Sequence, residues 1–152
     1  MSLKQAALSD LDTVKRVVAV TISEVYPHYY PKGAVEFFLE HHNEASIIHD
    51  IELEQVFLCQ DIKGTVVGTV TIAGNEICRL FVLPGHQGKG YGTELLDYAE
   101  KVIASQSSEI VLAASMPAKK LYMKRGYEAV SYHIITTGHH DFLCYDVMKK
   151  RV

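Results

Sequence analysis

The fold of this 152-residue chain is decided by one stretch, Glu76-Ile77-Cys78-Arg79-Leu80-Phe81-Val82-Leu83-Pro84-Gly85-His86-Gln87-Gly88-Lys89-Gly90-Tyr91-Gly92-Thr93-Glu94-Leu95-Leu96. Its first part, residues 77–83, is mostly apolar, which predicts a strand covered on both faces, and Pro84-Gly85 ends that strand. Further on, apolar residues recur at helical spacing. The stretch therefore predicts a strand, a glycine-rich loop and an amphipathic helix. The apolar face of that helix is formed by Leu95, Leu96, Ala99, Val102 and Ile103.

Three glycines within five positions, Gly88, Gly90 and Gly92, separate the strand from the helix. Because glycine has no Cβ, the backbone can turn tightly there and its N–H groups stay accessible. The first N–H groups of a helix have no partner inside the helix, and the helix dipole adds about half a positive charge. The loop is therefore predicted to bind an anion, and phosphate is the expected one.

Two common phosphate-binding loops do not fit this pattern. A Walker loop requires Ser or Thr directly after its Gly-Lys pair, whereas Lys89 is followed by Gly90. The dinucleotide fingerprint requires a third glycine three residues after the second. Thr93 or Leu95 stands at that place, depending on which glycine begins the count.

The segment 87–92 resembles motif A of the GNAT superfamily of N-acetyltransferases, Gln/Arg-x-x-Gly-x-Gly/Ala, and residues 76–84 are similar to that family's fourth strand. The resemblance extends over roughly residues 65–150. It implies that the loop holds the pyrophosphate of acetyl-CoA, and that backbone N–H groups at a strand irregularity bind the acetyl carbonyl and the pantetheine arm. The implied cofactor-binding residues are Phe81, Val82, Gln87, Gly88, Lys89, Gly90, Tyr91, Gly92 and Thr93.

The rest of the chain fits the fold that this resemblance implies. We expect one α/β (α+β) domain, residues 1–152, with a central mixed, mostly antiparallel sheet of six to seven strands and about four flanking helices. Apolar spacing predicts helices near 11–25, 32–42 and 116–125, with a looser link at 43–50 and Ser115 as a helix cap. Further strands are predicted near 3–8, 55–62, 65–73, 110–114, 127–136 and 142–148.

Composition excludes several classes of protein. With 15 basic and 18 acidic residues the net charge is -3, which provides no general attraction to nucleic acid. We expect neither a membrane helix nor a signal peptide, and we expect a cytoplasmic location. Three cysteines far apart in the sequence are expected to be reduced, buried thiols, and no residue spacing indicates a metal site. They are Cys59, Cys78 and Cys144.

Acetyl transfer to an amine requires a base, because only about one alkylamine in two thousand is unprotonated at pH 7. The resemblance places Glu76 where many members of the family carry an acidic residue that takes this proton, often through water. Glu76 also follows a turn, where an exposed carboxylate is common. Glu24 and His28 are the alternatives on the acceptor side.

The leaving thiolate of CoA needs a proton. Residues 118–127 resemble motif B of the family, Ala-x-x-x-Tyr-x-x-x-Gly-Phe/Tyr, which implies that the Tyr122 hydroxyl protonates the CoA sulfur. The family often has Asn near the end of the fifth strand, where this chain has Ser115 and Met116, so that contact is not expected. Cys78 has no evident His partner, which favours direct attack over an acetyl-enzyme.

The acceptor is less constrained by the sequence. Tyr26, His28, Tyr29 and Tyr30 lie where the family's acceptor pocket varies, so we expect them to contact the acceptor, although structural packing explains this segment equally well. A polyamine, an amino acid, an antibiotic, a protein N-terminus and a lysine all fit the net charge, and a homodimer is a possible assembly. The alternative function is a non-catalytic acyl-CoA-binding module that acts as a sensor or binds a partner.

Overall fold

The computed structural model describes residues 1–152, and its centre is a seven-stranded sheet with the order β1-β2-β3-β4-β5-β7-β6. Neighbouring strands are antiparallel except β4 and β5, which are parallel. The mixed, mostly antiparallel sheet is therefore confirmed. Its strands are β1 Ser2–Gln5, β2 Val56–Gln60, β3 Val66–Ala73, β4 Glu76–Val82, β5 Glu109–Ala114, β6 Glu128–Thr136 and β7 Phe142–Arg151.

Five α-helices flank the sheet, and each predicted helix is present within a few residues. Residues 43–50, expected as a looser link for which a helix is one option, lie largely in a regular helix, and the Asn43 side chain caps it by accepting a hydrogen bond from the Ser46 amide. None of the helices combines the length and apolar character needed to cross a membrane. The helices are α1 Leu11–Val25, α2 Lys32–His41, α3 Glu44–Glu52, α4 Tyr91–Ala104 and α5 Met116–Lys124.

Both faces of the sheet are covered by apolar side chains. One core cluster joins α1, α2 and α3 to β2, with Val17, Ile47 and Leu58 at 0 to 1% exposure. The other joins α4 to β3 and β5, with Leu95 and Ile110 fully buried. The buried face of α4 lies within residues 95–103, as the sequence predicts, and it holds the helix and the preceding loop against the middle of the sheet.

The parallel strands β4 and β5 separate soon after they meet. They pair only at Glu76 with Val111 and at Ile77 with Leu112, although β4 continues to Val82. Beyond that point each strand pairs with its antiparallel neighbour alone. The sheet therefore has a V-shaped gap at its centre, in front of the glycine-rich loop.

A β-bulge in β4 decides which side chains face this gap. Thr71 pairs with Arg79 and Ile72 pairs with Ile77, so Cys78 has no partner on β3. The irregularity expected near residues 81–82 lies at Cys78 instead, which corrects that prediction. An extra residue in a strand shifts the alternation of side chains, so every later side chain points to the opposite face of the sheet. Ile77 therefore packs towards α4, while Phe81 packs towards α1.

Candidate active site

The glycine-rich loop has the backbone conformation that its sequence predicts. Gly88 and Gly90 have φ of 73° and 91°, in the left-handed region that favours glycine. Gly90 is the N-cap of α4, and no side chain caps that helix. The N–H groups of its first turn therefore remain available to an anion, with the dipole of a 14-residue helix behind them.

A groove of about 230 Å³ runs from this loop into the gap between β4 and β5. Five of the nine predicted cofactor residues line it, whereas Lys89, Gly90, Tyr91 and Thr93 do not. The Lys89 ammonium donates a hydrogen bond to the Gly85 carbonyl at 2.8 Å, so this side chain folds back onto the loop. The lining residues among the nine are Phe81, Val82, Gln87, Gly88 and Gly92.

A second cavity, of about 300 Å³, opens on the other side of the gap between the strands. Its walls come from α2, β4, β5, α5, β6 and β7, so it is assembled from segments distant in sequence. Side chains shared with the groove connect the two spaces. The shared residues are Tyr26, Leu80, Phe81, Ser115 and Ala118.

Tyr122 lies in the wall of this second cavity, on α5. Its side chain is 5% exposed, and its hydroxyl makes no hydrogen bond to another group of the chain. Burial, assisted by the nearby Tyr26, raises the pKa of Tyr122 well above its usual value. The hydroxyl therefore keeps its proton at neutral pH and is free to donate it to a ligand.

The four residues expected to contact the acceptor have different surroundings. Tyr26 lines both the groove and the cavity, and its hydroxyl donates to the Ser115 hydroxyl at 3.4 Å. His28 and Tyr29 are exposed and lie outside both walls. Tyr30 is buried, and its hydroxyl accepts the Met116 amide at 2.6 Å, so it performs the capping expected of the Ser115 side chain at α5. The structure thus brings only Tyr26 to the site.

A buried arginine forms part of the cavity wall. Arg79 is 5% exposed and pairs with the Asp50 carboxylate at 2.9 Å. Its guanidinium also donates to the Thr71 hydroxyl at 2.9 Å and to Nδ1 of His42 at 3.2 Å. Because the bulge turns Arg79 towards α3, this network ties β4 to α3 and to His42 at the end of α2.

His42 makes the stability of this region depend on pH. Burial, the Arg79 charge and His41 lower the pKa of His42 to about 3, whereas a free imidazole has a pKa near 6.5. Between these values the unfolded chain binds a proton that the folded protein does not bind. The free energy of unfolding therefore has its full value above pH 6.5 and decreases as the pH falls. The decrease is about 1.5 kcal/mol between pH 6.5 and pH 5.

Chemical denaturation at pH 6.5 and pH 5 measures this loss. In His42→Asn the Oδ1 atom replaces Nδ1 as the acceptor for Arg79 and cannot titrate, so we expect the variant to lack this loss of about 1.5 kcal/mol between pH 6.5 and pH 5. His28→Asn removes an exposed imidazole and should leave the loss unchanged. Equal pH dependence in all three proteins would contradict the assignment.

Glu76, the predicted base, is exposed at the start of β4 and does not line the cavity.

Cys78 does line the cavity and is exposed, which corrects the expectation of a buried thiol, while Cys59 is buried as expected. Although part of its surface is exposed, desolvation by the surrounding wall and the Glu76 charge raise the pKa of Cys78 to about 11, so it stays a thiol. The sequence did not identify His41 and His42 as wall residues, because their place depends on how α2 packs against α1 and β7.

Comparisons with known proteins agree with this architecture. Residues 25–142 match the model of the acetyltransferase (GNAT) domain. An N-alpha-acetyltransferase of Sulfurisphaera tokodaii is 24% identical, over 84% of this chain and 80% of that protein.

Two solved structures share the fold. A GCN5-related N-acetyltransferase of Rhodopseudomonas palustris superposes with a TM-score of 0.90 at 21% identity, over 99% of this chain and 95% of the other. The PaiA N-acetyltransferase of Thermoplasma acidophilum, solved in complex with coenzyme A, superposes with a TM-score of 0.75 at 21% identity, over 99% and 98%. Because the family match covers well over half of the chain, the protein belongs to the GNAT family of acetyltransferases.

Proposed function

We propose that this acetyltransferase moves the acetyl group of acetyl-CoA to a primary amine by direct attack, in a ternary complex formed within one domain, residues 1–152. The observation that carries the proposal is the pair of connected spaces on either side of the gap between β4 and β5. One begins at uncapped helix amides suited to a diphosphate, and the other has mostly apolar walls. A thioester passing through the gap would reach an amine without leaving the protein.

The residues of the groove have distinct roles in this proposal. The loop 88–92 and the first turn of α4 hold the pyrophosphate. The Val82 backbone, which faces away from β3, holds the pantetheine arm and the acetyl carbonyl, and the Phe81 side chain lines the groove beside it. The Gln87 side chain donates to the Val82 carbonyl at 3.0 Å and so braces the loop against the strand. The PaiA structure supports a coenzyme A site in this fold, because that protein was solved in complex with coenzyme A.

Tyr122 is the proposed acid for the departing CoA thiolate. Its hydroxyl has no partner in the chain, keeps its proton and lies in the wall beside the shared residues. Attack by the amine produces a tetrahedral oxyanion, which then collapses as the carbon–sulfur bond breaks. A proton from Tyr122 to sulfur completes the transfer, and the acetylated amine loses its own proton to a base.

The base is the least constrained of these roles. Glu76 remains the residue that the sequence predicts, and it could take the proton only through water, since it lies outside the cavity wall. His41 is a second candidate, because its imidazole is in the wall and stacks on Phe37 at 5.9 Å. Histidine is the side chain that most often serves as a general base in enzymes.

Two substitutions rank these candidates. We expect His41→Asn to lower kcat/KM about 100-fold at pH 7, because a base in the cavity wall could take the proton of the amine without an intervening water. We expect Glu76→Gln to change kcat/KM less than threefold. Initial rates of thiol release from pH 5.5 to 9 measure both, and the reverse order of effects would assign the base to Glu76.

A non-catalytic acyl-CoA-binding module is the alternative of another class. Thiol release with acetyl-CoA over a panel of amines separates the two functions. Catalysis predicts release with at least one amine, together with an acetylated product detected by mass spectrometry. Stabilisation of the protein by acetyl-CoA without release for any amine would favour the module, and no stabilisation at all would refute the cofactor site.

We also propose that a second copy of the chain pairs along β6, the last strand of the sheet. A nine-residue edge strand presents unpaired backbone groups, and three of its large apolar side chains are exposed. Sedimentation at micromolar concentration tests this assembly. The exposed residues are Val130, Tyr132 and Ile134, at 53%, 61% and 61%.

A further inference from the structure

The walls of the second cavity are mostly aromatic and aliphatic. Phe37 and Phe38 come from α2, Phe81 from β4 and Tyr145 from β7, and Tyr26 closes the side next to the groove. Four of these rings contact one another, with the Tyr26 and Phe38 centroids 4.7 Å apart, so this part of the wall is a packed surface. Such a surface favours burial of an apolar ligand body.

The cavity has no negative charge in its wall. Neither Asp nor Glu lines it, and its one permanently charged side chain is Arg79. The Asp50 carboxylate lies outside the wall and is already paired with that guanidinium. His42 stays neutral because burial and the Arg79 charge lower its pKa. An ammonium group inside the cavity would therefore lose its hydration without gaining an ionic partner.

We infer that the acceptor is a monoamine with an apolar body, and that the cavity discriminates against amines that carry a second positive charge. The inference rests on the proposed function, since it concerns the acceptor of the same site. The reacting amine enters neutral, so it does not need a carboxylate, whereas a distal ammonium does. Polyamines and aminoglycosides are thereby excluded as good acceptors, although their charge is opposite to the net charge of the protein.

A matched pair of amines measures the discrimination. 1-Aminopentane and 1,5-diaminopentane have the same carbon chain and differ in one terminal ammonium. We expect kcat/KM to be at least 100-fold higher for the monoamine at pH 7. The ratio has a ceiling of about 2000, because about one diamine in two thousand presents a neutral distal amine. It should therefore fall as the pH rises towards 9.

Chain length supplies an independent readout. Each methylene buried in an apolar cavity improves binding about three- to fourfold. From aminoethane to 1-aminopentane we expect kcat/KM to rise by about this factor per carbon, and 2-phenylethylamine should be at least as good as 1-aminopentane.

A carboxylate placed in the wall should weaken the preference for the monoamine over the diamine. Ile135 lies in the cavity wall on β6, and it is only partly buried, so a polar side chain is tolerated there. We expect Ile135→Glu to reduce the ratio of monoamine to diamine at least tenfold. Ile135→Gln controls for size, and Thr136→Glu places the same charge on the next, exposed residue outside the wall, so both should keep the ratio.

Binding separates failure of this inference from failure of the proposed function. Calorimetric titration of the CoA-loaded protein with both amines does not require turnover. Selective binding of the monoamine without thiol release would uphold the inference and refute the catalytic proposal. Equal or better use of the diamine, equal binding of both amines, or binding of neither would overturn the inference, whatever the rate of thiol release.

Discussion

Tyr122→Phe is expected to lower kcat about 100-fold and to leave the affinity for acetyl-CoA within a factor of two. A positioned general acid contributes about 10²- to 10⁴-fold to a rate. The substitution removes one oxygen atom that makes no hydrogen bond within the chain, so the fold should be unaffected. The deficit should persist at pH 9, because the raised pKa of Tyr122 keeps its hydroxyl protonated in the parent enzyme at that pH.

Tyr127→Phe is the matched control for this substitution. Its ring contacts that of Tyr122 with centroids 5.6 Å apart, but its hydroxyl donates to Glu100 and it does not line the cavity. Stopped-flow measurement of thiol release should show a rate near that of the parent. A Tyr122→Phe enzyme with unchanged kcat across the pH range would show that the thiolate leaves without help from this residue.

Gly92→Asp is expected to weaken coenzyme A binding about 100-fold without loss of stability. Gly92 is the second residue of α4 and lines the groove, so a carboxylate there would face the predicted diphosphate site. At about 5 Å in a surface site, two like charges repel by roughly 3 kcal/mol. The same carboxylate interacts favourably with the helix dipole, so the melting temperature should hold or rise.

Gly92→Asn separates charge from bulk in this experiment. A Cβ at this position would lie 3.8 Å from the nearest Val82 methyl, which is an ordinary contact, and the backbone is not in the left-handed region. We therefore expect Asn to weaken binding less than tenfold in calorimetric titrations with coenzyme A. If Asp and Asn weaken binding equally, the diphosphate does not lie at the start of α4.

The substitutions Gly92→Asp and Tyr122→Phe test opposite ends of the proposed acetyl-CoA site. The substitution at α4 should affect the dissociation constant alone, and the substitution at α5 should affect the chemical step alone. A protein that showed both effects from either substitution would have lost its fold, which the melting temperature would reveal.

The parts of this protein that the sequence by itself determined are those that depend on local interactions. The strand, the glycine-rich loop and the helix of residues 76–104 depend on apolar periodicity and on backbone freedom at Gly88 and Gly90, and both are properties of neighbouring residues. The family resemblance in residues 87–92 and 118–127 therefore identified the enzyme class and its cofactor. The same information placed Tyr122 on the helix that borders the cavity.

Only the tertiary structure decided the acceptor side of the site. The bulge at Cys78 reverses the facing of Arg79 and Phe81, and it arises from a mismatch in register with β3. The packing of α2 against α1 and β7 brings His41 and His42 into the wall, while Glu76, His28 and Tyr29 lie outside it. A cavity whose walls come from six separate elements has no signature in any one segment, because its shape and charge depend on contacts between residues far apart in the chain.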